Sequence, residues 1–251
     1  MSIIKTPIDF SSTPLGRNYS PFFALILDNV FSADECASLI RLAESSGPWE
    51  PAAGDATYIS GFRHSSRIFR DDVDTASLIH DRIRGCLEEA GVTEIGPESK
   101  WVEVTGKKLQ NWSKARGETG FWKVARLNPM LRFLKYGEGE YFKPHCDGLY
   151  EDKENQTKSF LTVHLYLNDG NGLEGGATRF WTPDKKEWLD VEPKMGRILV
   201  FQQRMLVHSG ERVTGGIKVT MRTDVMFERV VVTREERKAR VAEEQGAMQD
   251  A

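Results

Sequence analysis

Closely spaced turn residues constrain the fold of this chain more than any other feature of its sequence. From Trp101 onward, short apolar or alternating runs of roughly four to eight residues are separated by Gly, Asn and Asp. This pattern is typical of an antiparallel β sandwich or barrel. The clearest predicted strands are RLNPMLRFLKY, SFLTVHLYLN, GRILVF and KVTMRTDVMF. The sequence therefore predicts a mainly β fold with flanking α-helices, in the α+β class.

The helices are predicted in the first hundred residues. After the apolar strand FFALILDNVF, Ser32 and Glu35 form a capping box, which predicts a helix from about Ser32 to Ser46. A second helix is predicted from Asp74 to near Gly91, because apolar residues recur there at helical spacing, at Leu78, Ile79, Ile83 and Leu87. We expect residues 1–100 to support a core at 101–230 within one structural domain. A charged tail at 231–251 follows, and from Thr233 it reads as a frayed surface helix.

Composition narrows the class of protein. The formal net charge of the 251 residues is −3, so no nucleic-acid partner is expected. The first residues lack the continuous apolar stretch of a signal peptide, and no membrane association is expected. The three cysteines are odd in number and widely spaced, which argues against a disulfide framework and favours a reducing, cytoplasmic setting. The oligomeric state is left open.

A candidate metal site begins at Pro144-His145-Cys146-Asp147-Gly148. Residues two apart on a strand point to the same face, so His145 and Asp147 can bind one metal together. Alone, this pattern is weak, since His-x-Asp also arises by chance and a single histidine is more often a hydrogen-bonded or surface residue. A second signal is His208, which follows the apolar strand GRILVFQQR at a turn. Two histidines and one carboxylate leave adjacent positions open, as suits non-haem Fe(II), whereas zinc usually takes a closed set of four ligands.

A polar strand face lies downstream, where Lys218, Thr220, Arg222 and Asp224 alternate with apolar residues. Such a face normally lies in solvent. If this strand lines a barrel interior instead, a buried cation requires an anion, and a dicarboxylate cosubstrate supplies one. The hydroxyls of Tyr136 and Tyr166 are candidates to bind the same carboxylate, with core packing as their alternative role.

The segments RFLKYGEGEYFKPHCDG, SFLTVHLYLND, GGATRFW, VEPKMGRILVF and HSGERVTGGIK resemble the catalytic domain of the prolyl 4-hydroxylase group of 2-oxoglutarate oxygenases. The resemblance covers about Leu131 to Phe227 and extends more weakly upstream. It implies a double-stranded β-helix (jelly roll) core with an N-terminal helical support, and an iron site at the mouth of the barrel made by His145, Asp147 and His208. It also implies that Lys218 binds the far carboxylate of 2-oxoglutarate, helped by Tyr166, and that Tyr136 lies near the site. Arg222 is a rival anchor, because an arginine fork binds a carboxylate in bidentate fashion, but the position favours lysine.

The function implied by the resemblance is that of an Fe(II)- and 2-oxoglutarate-dependent dioxygenase. Such an enzyme uses O2, with ascorbate as a candidate reductant, to oxidise a C–H bond of a small molecule, an amino acid or a prolyl residue, and releases succinate and CO2. The stretches Pro51 to Arg67 and Leu149 to Lys158 are candidate substrate loops. Packing or surface roles are favoured over substrate contact for Trp122, Trp181 and Arg179. The alternative function is a non-catalytic jelly-roll protein that binds a metal or ligand.

Overall fold

Two antiparallel β-sheets carry most of the chain in the computed structural model, which describes residues 2–52, 61–106, 119–169, 172–233 and 235–236. The strands are β1 (Ile4–Pro7), β2 (Ala24–Asp28), β3 (Glu50–Pro51), β4 (Arg63–His64), β5 (Ser66–Asp71), β6 (Glu94–Ile95), β7 (Thr119–Leu127), β8 (Met130–Tyr136), β9 (Tyr141–His145), β10 (Glu151–Asp152), β11 (Thr157–Tyr166), β12 (Glu174–Gly175), β13 (Thr178–Trp181), β14 (Trp188–Val191), β15 (Ile198–Gln202), β16 (His208–Gly210), β17 (Val213–Gly215) and β18 (Lys218–Val232). The helices are α1 (Gly16–Tyr19), α2 (Ala33–Glu44), α3 (Val73–Glu89) and α4 (Val102–Thr105), with a 3-10 turn at Phe10–Ser12.

The large sheet follows the order β1-β2-β15-β11-β18-β8-β5-β3, and β7, β6 and β10 join it at the side. The small sheet follows the order β14-β13-β16-β9-β4, and β12 pairs with β17 separately. These two sheets form the jelly roll that the sequence predicted, so the predicted fold class is confirmed.

Strand β18 shows how the large sheet separates its two faces. Val219 and Met221 belong to the main hydrophobic core, which also contains residues of α2 and α3 such as Leu39 and Ile83. Lys218 and Arg222 point the other way and border an interior cavity. The polar face of β18 therefore lines the barrel interior and does not lie in solvent.

Both predicted helices are present. Ser32 caps α2, and the reciprocal bonds of its capping box with Glu35 are formed. Helix α3 begins after Asp72, whose side chain accepts a hydrogen bond from the Thr75 N–H. Its buried face includes Ile79, Ile83 and Leu87, whereas Leu78 is 46% exposed because it lies on the side turned from the sheet.

The structure differs from the predicted elements in two places, and a third prediction lies mostly outside the described residues. RLNPMLRFLKY contains the end of β7 and all of β8, because Asn128-Pro129 separates the two strands. Strand β18 runs past Phe227 to Val232. Most of the predicted tail helix, at 237–251, lies outside the described residues, although the Thr233 hydroxyl accepts a hydrogen bond from the Glu236 N–H at its start. Among the described helices, none combines the length and the apolar character needed to span a bilayer.

Candidate metal and cosubstrate site

Strand pairing brings two histidines together. Strands β9 and β16 are antiparallel neighbours in the small sheet, with His208 directly opposite His145 and their ring centroids 4.4 Å apart. The Nδ1 atom of His145 is 2.8 Å from the Lys143 carbonyl oxygen, and that of His208 is 3.1 Å from the Leu206 carbonyl oxygen. A proton on each Nδ1 satisfies these carbonyls and leaves each Nε2 with a free lone pair for a metal.

The strand that carries His208 differs from the one expected. The apolar strand β15 ends at Gln202 in the large sheet, and His208 is the first residue of β16 in the small sheet. A turn containing Met205, with a φ of 59°, joins the two strands. Crossing between the sheets is what places His208 beside His145.

Asp147 completes the cluster from just beyond the end of β9. Its Oδ1 is 3.7 Å from the His145 Nε2, and its Oδ2 is 3.6 Å from the His208 Nε2. One ligand atom from each of the three residues lies within 4.8 Å of the others. Two imidazoles and one carboxylate on one side of a metal fit Fe(II) with open positions for other ligands.

The Asp147 carboxylate is held in its ionised form. Burial alone would raise its pKa, but the Arg222 guanidinium and the two imidazoles outweigh burial and hold the pKa well below its usual range. The Arg222 Nη1 is 3.0 Å from Oδ1, and the Thr162 hydroxyl donates a 2.6 Å hydrogen bond to Oδ2. Burial also lowers the pKa of His208 to about 4, with Asp147 opposing the shift. The cluster is therefore ready to bind a cation at neutral pH.

Arg222 connects Asp147 to a second buried carboxylate. Its Nη2 is 3.3 Å from Oδ1 of Asp224, which is 1% exposed. Arg132 forms a 2.9 Å ion pair with the same carboxylate, and the Gln203 side-chain amide donates to it at 2.9 Å. The charge of Arg222 is thus balanced by two carboxylates of this chain.

Lys218 is a buried cation of a different kind. It is 3% exposed, and its Nζ donates to the Gly176 carbonyl oxygen and lies 5.5 and 5.6 Å from the ring centroids of Tyr136 and Tyr166. No carboxylate lies within 4.0 Å of it among the residues that the structure describes. Burial lowers its pKa from 10.5 to about 8, with Glu192 and then Glu211 opposing the shift. A buried ammonium without a carboxylate is a site for an added anion.

Gly176 allows the lysine to lie where it does. Its φ is +72°, a conformation that side-chain-bearing residues rarely adopt, and a Cβ there would lie 3.0 Å from the Lys218 Cδ. A larger residue at this position would push the lysine chain away from the carbonyl oxygen that it contacts.

The two tyrosines occupy different positions. Tyr136 pairs directly with Lys218 across β8 and β18 and borders the cavity. Tyr166 is fully buried behind the cavity wall, and its hydroxyl donates a 2.7 Å hydrogen bond to Oγ1 of Thr178, which does border the cavity. The structure therefore groups Lys218 and Tyr136 around one space, with Tyr166 supporting Thr178.

The cavity that these side chains border is lined by residues from both sheets. It contains the candidate ligands and the cations already described, together with Arg63 and Arg67 from the candidate loop 51–67. Four further residues that border it were not singled out from the sequence, namely Arg132, Thr162, His164 and Thr178. Thr162 and His164 alternate with Tyr166 along β11. Because residues two apart share a strand face, this spacing could have predicted that Thr162 and His164 lie on the side of the site. Among the described residues, the buried Nε2 of His164 has no hydrogen-bond partner, and burial holds the pKa of this imidazole well below its usual range.

The weaker sequence candidates lie elsewhere. Trp122 is buried in the main core, and the Trp181 indole N–H donates to the Ser209 hydroxyl. Arg179 forms a bidentate pair with Asp190. Of the two candidate substrate loops, 149–158 does not border the cavity, whereas 51–67 contributes its last part and also includes 53–60, which lies outside the described residues.

The Thr162 hydroxyl should affect metal binding through Asp147. We expect Thr162→Val to weaken Fe(II) binding about tenfold, because removing a partner that orients a ligand typically costs ~10–100-fold in metal affinity. An anaerobic Fe(II) titration measures the effect. Thr157→Val is a matched control on the same strand, since the buried Thr157 hydroxyl has no hydrogen-bond partner in the part of the chain that the structure describes. Equal iron affinity in both variants would contradict the orienting role.

Comparison with known proteins adds an independent line of support. Residues 131–233 match the family model of the 2OG-Fe(II) oxygenase superfamily. The fold is similar to a Pseudomonas putida prolyl-4-hydroxylase, with 16% identity over 86% of this chain and 94% of that chain and a TM-score of 0.52. It is also similar to a Trichoplax adhaerens prolyl hydroxylase solved in complex with a hypoxia inducible factor oxygen degradation domain peptide fragment. The identity is 12% over 80% of this chain and 82% of that chain, and the TM-score is 0.51. The chain has no match among curated proteins. The resemblance predicted from the sequence is confirmed.

Proposed function

We propose, on the premise that residues 131–233 form a 2OG-Fe(II) oxygenase domain, that this chain oxidises a C–H bond of its prime substrate at the His145, Asp147 and His208 cluster. The chain is an Fe(II)- and 2-oxoglutarate-dependent dioxygenase that releases succinate and CO2. The observation that carries the assignment of the site is the presence, in one cavity, of a two-histidine, one-carboxylate cluster and a buried lysine without a carboxylate partner among the described residues.

The metal role falls to three side chains. The Nε2 atoms of His145 and His208 and the carboxylate of Asp147 hold Fe(II), while Thr162 and Arg222 keep that carboxylate oriented and ionised. When bound, Fe(II) and 2-oxoglutarate supply the oxidising chemistry with O2. Phe142 and Phe201 lie close to the histidine rings, at 3.8 Å from His145 and 4.7 Å from His208 between centroids. These apolar walls exclude water from the reacting positions.

Lys218 is the proposed anchor for the far carboxylate of 2-oxoglutarate. The contrast with Arg222 supports this choice, because Arg222 already pairs with Asp147 and Asp224. Tyr136 lies opposite Lys218 and borders the same space, so its hydroxyl is a second candidate donor. Tyr166 acts through Thr178 in this proposal.

The lysine anchor predicts a pH dependence. Because the pKa of Lys218 is lowered to about 8, the ammonium is present below pH 8 and is lost as the pH rises through that value. The affinity for 2-oxoglutarate should therefore be flat below about pH 8 and fall by about tenfold per pH unit well above it. Calorimetric titration of the Fe(II)-loaded protein under anaerobic conditions measures this. Lys218→Arg stays charged and should bind without this decline, so a decline of the same size in that variant would assign it to another group.

The activity itself is tested by succinate formation. Anaerobically Fe(II)-loaded protein is exposed to O2 with 2-oxoglutarate and a panel of free amino acids, proline-containing peptides and cell-extract fractions. Succinate that requires both iron and 2-oxoglutarate, and that one of the additions stimulates, is the expected result. A protein that binds neither iron nor 2-oxoglutarate would instead support the non-catalytic binding protein.

The proposal also covers the domain organisation and the cellular compartment. Residues 1–100 support the core at 101–230, since strands β1, β2, β3 and β5 all belong to the large sheet, and the charged C-terminal sequence follows the end of β18 at Val232. The chain works in a reducing, cytoplasmic compartment, which is supported by the free state of Cys36, Cys86 and Cys146. Alkylation of these thiols without prior reduction, followed by mass spectrometry of protein from its native source, tests the setting.

A further inference from the structure

Two arginines border the cavity at one edge of the jelly roll. Arg63 lies on β4 in the small sheet and Arg67 on β5 in the large sheet, and Ser65 alone separates the two strands. The chain thus crosses between the sheets here and presents one guanidinium from each side of the crossing.

These guanidinium groups have few partners. The Arg63 Nε donates a 2.9 Å hydrogen bond to the Ser65 hydroxyl, and the same guanidinium lies beside the Tyr136 hydroxyl. Its buried Nη2 has no hydrogen-bond partner among the described residues. The Arg67 guanidinium lies 4.8 Å from the ring centroid of Phe69. Within the described part of the chain, neither guanidinium has a carboxylate within 4.0 Å.

The other cations of the cavity are accounted for. Arg132 and Arg222 pair with Asp224, and Arg222 also pairs with Asp147. Lys218 is assigned to 2-oxoglutarate. Arg63 and Arg67 therefore remain as excess positive charge in a partly enclosed space, where a cation is favourable only with an anion beside it.

Arg67 is also separate from the lysine. Strand β8 lies between β5, which carries Arg67, and β18, which carries Lys218. Two strand spacings of ~4.8 Å put about 10 Å between them across the sheet. One 2-oxoglutarate molecule bound to Lys218 and to the metal thus leaves the edge at Arg67 for another ligand.

We propose that the prime substrate is a small carboxylic acid, such as a free amino acid, whose carboxylate is bound by Arg63 and Arg67. This inference rests on the proposed function of the cavity. A guanidinium fork matches a carboxylate in bidentate geometry, which selects an acid over its neutral derivatives. Arg63 lies 4.5 Å from the ring centroid of Phe142, whose ring stacks on His145. The apolar part of such an acid packs on Phe142 and Phe69, which brings its C–H bonds toward the candidate metal position.

The test compares acids with their amides. Common free amino acids and the corresponding carboxamides are titrated into anaerobic protein loaded with Fe(II) and 2-oxoglutarate, with calorimetry as the readout. We expect one or more acids to bind and their carboxamides to bind at least about tenfold more weakly, since a hydrogen bond to a charged group contributes ~1.5–3 kcal/mol. Equal binding of acids and carboxamides, or no binding of any acid to the loaded protein, would overturn the proposal.

The variants separate this inference from the function of the site. Arg67→Met should weaken binding of the acid about tenfold or more and leave 2-oxoglutarate binding unchanged. Arg63→Met should weaken binding of the acid to a similar extent. Arg84→Met is the control, because Arg84 is an exposed residue of α3 that forms an ion pair with Glu88 and does not border the cavity. Weakened 2-oxoglutarate binding with unchanged binding of the acid would assign the pair to the cosubstrate. Loss of iron and 2-oxoglutarate binding in the unmodified protein would instead refute the proposed function.

Discussion

His145→Ala is expected to abolish tight Fe(II) binding and, with it, 2-oxoglutarate-dependent succinate formation. The variant removes one of three ligands from a cluster with no further His, Cys, Asp or Glu ligand atom grouped with it among the described residues. Since the loss of a partner that merely orients a ligand costs ~10–100-fold, the loss of a ligand should weaken iron binding by more than about 100-fold. Anaerobic titration with Fe(II) measures the affinity, and the succinate assay measures the consequence.

His64→Ala is the matched control for this experiment. His64 is an exposed histidine on β4, the strand next to β9, and its ring stacks on Tyr141 at 5.3 Å. The His64→Ala variant should bind Fe(II) with the same affinity as the unmodified protein. If His145→Ala also retains full affinity while remaining folded by circular dichroism, the iron site lies elsewhere.

Lys218→Ala is expected to raise the concentration of 2-oxoglutarate needed for half-maximal turnover by about 10–100-fold, because a hydrogen bond to a charged group contributes ~1.5–3 kcal/mol. Iron affinity should be unchanged, since Lys218 is not one of the clustered ligands. The midpoint of thermal unfolding without cosubstrate should not fall, because the variant removes a buried charge that burial disfavours. Steady-state kinetics and thermal melts measure these effects.

Lys135→Ala and Arg222→Ala complete the comparison. Lys135 lies on β8 beside β18 but points to the opposite face, near the ring of Trp49, so its removal should not change the 2-oxoglutarate requirement. Arg222→Ala should act mainly on Asp147. A normal 2-oxoglutarate requirement in Lys218→Ala, together with a large increase in Arg222→Ala, would show that arginine is the anchor.

Local patterns predicted much of this molecule. The capping box at Ser32 and Glu35 and the alternation along β18 are short-range signals, and the elements that they predicted are present. Spacing placed His145 and Asp147 together, and the position of His208 at a turn after an apolar strand added the third ligand, which the resemblance also implied. Their side chains do meet, although Asp147 lies beyond the strand and His208 lies on a separate one.

Long-range pairing explains what the sequence left open. The sequence did not decide whether Lys218 or Arg222 is the cation without a carboxylate partner. In the structure Asp147, which follows a strand of the other sheet, pairs with Arg222, and no local sequence pattern predicts this contact. The same holds for Tyr166, whose hydroxyl is bonded to Thr178 on β13. Arg63 and Arg67 lie at the end of a stretch proposed as a substrate loop, but their position on both sides of a sheet crossing appears only in three dimensions.

That crossing has an evolutionary consequence. The candidate iron ligands and the lysine lie on or just beyond β9, β16 and β18, whereas Arg63 and Arg67 belong to one stretch of chain at β4 and β5. Substitutions at 63–67 can therefore change which acid is oxidised while the oxygen-activating groups keep their positions. A gene encoding this fold could acquire a new substrate through a few neighbouring codons, without passing through an inactive ancestor.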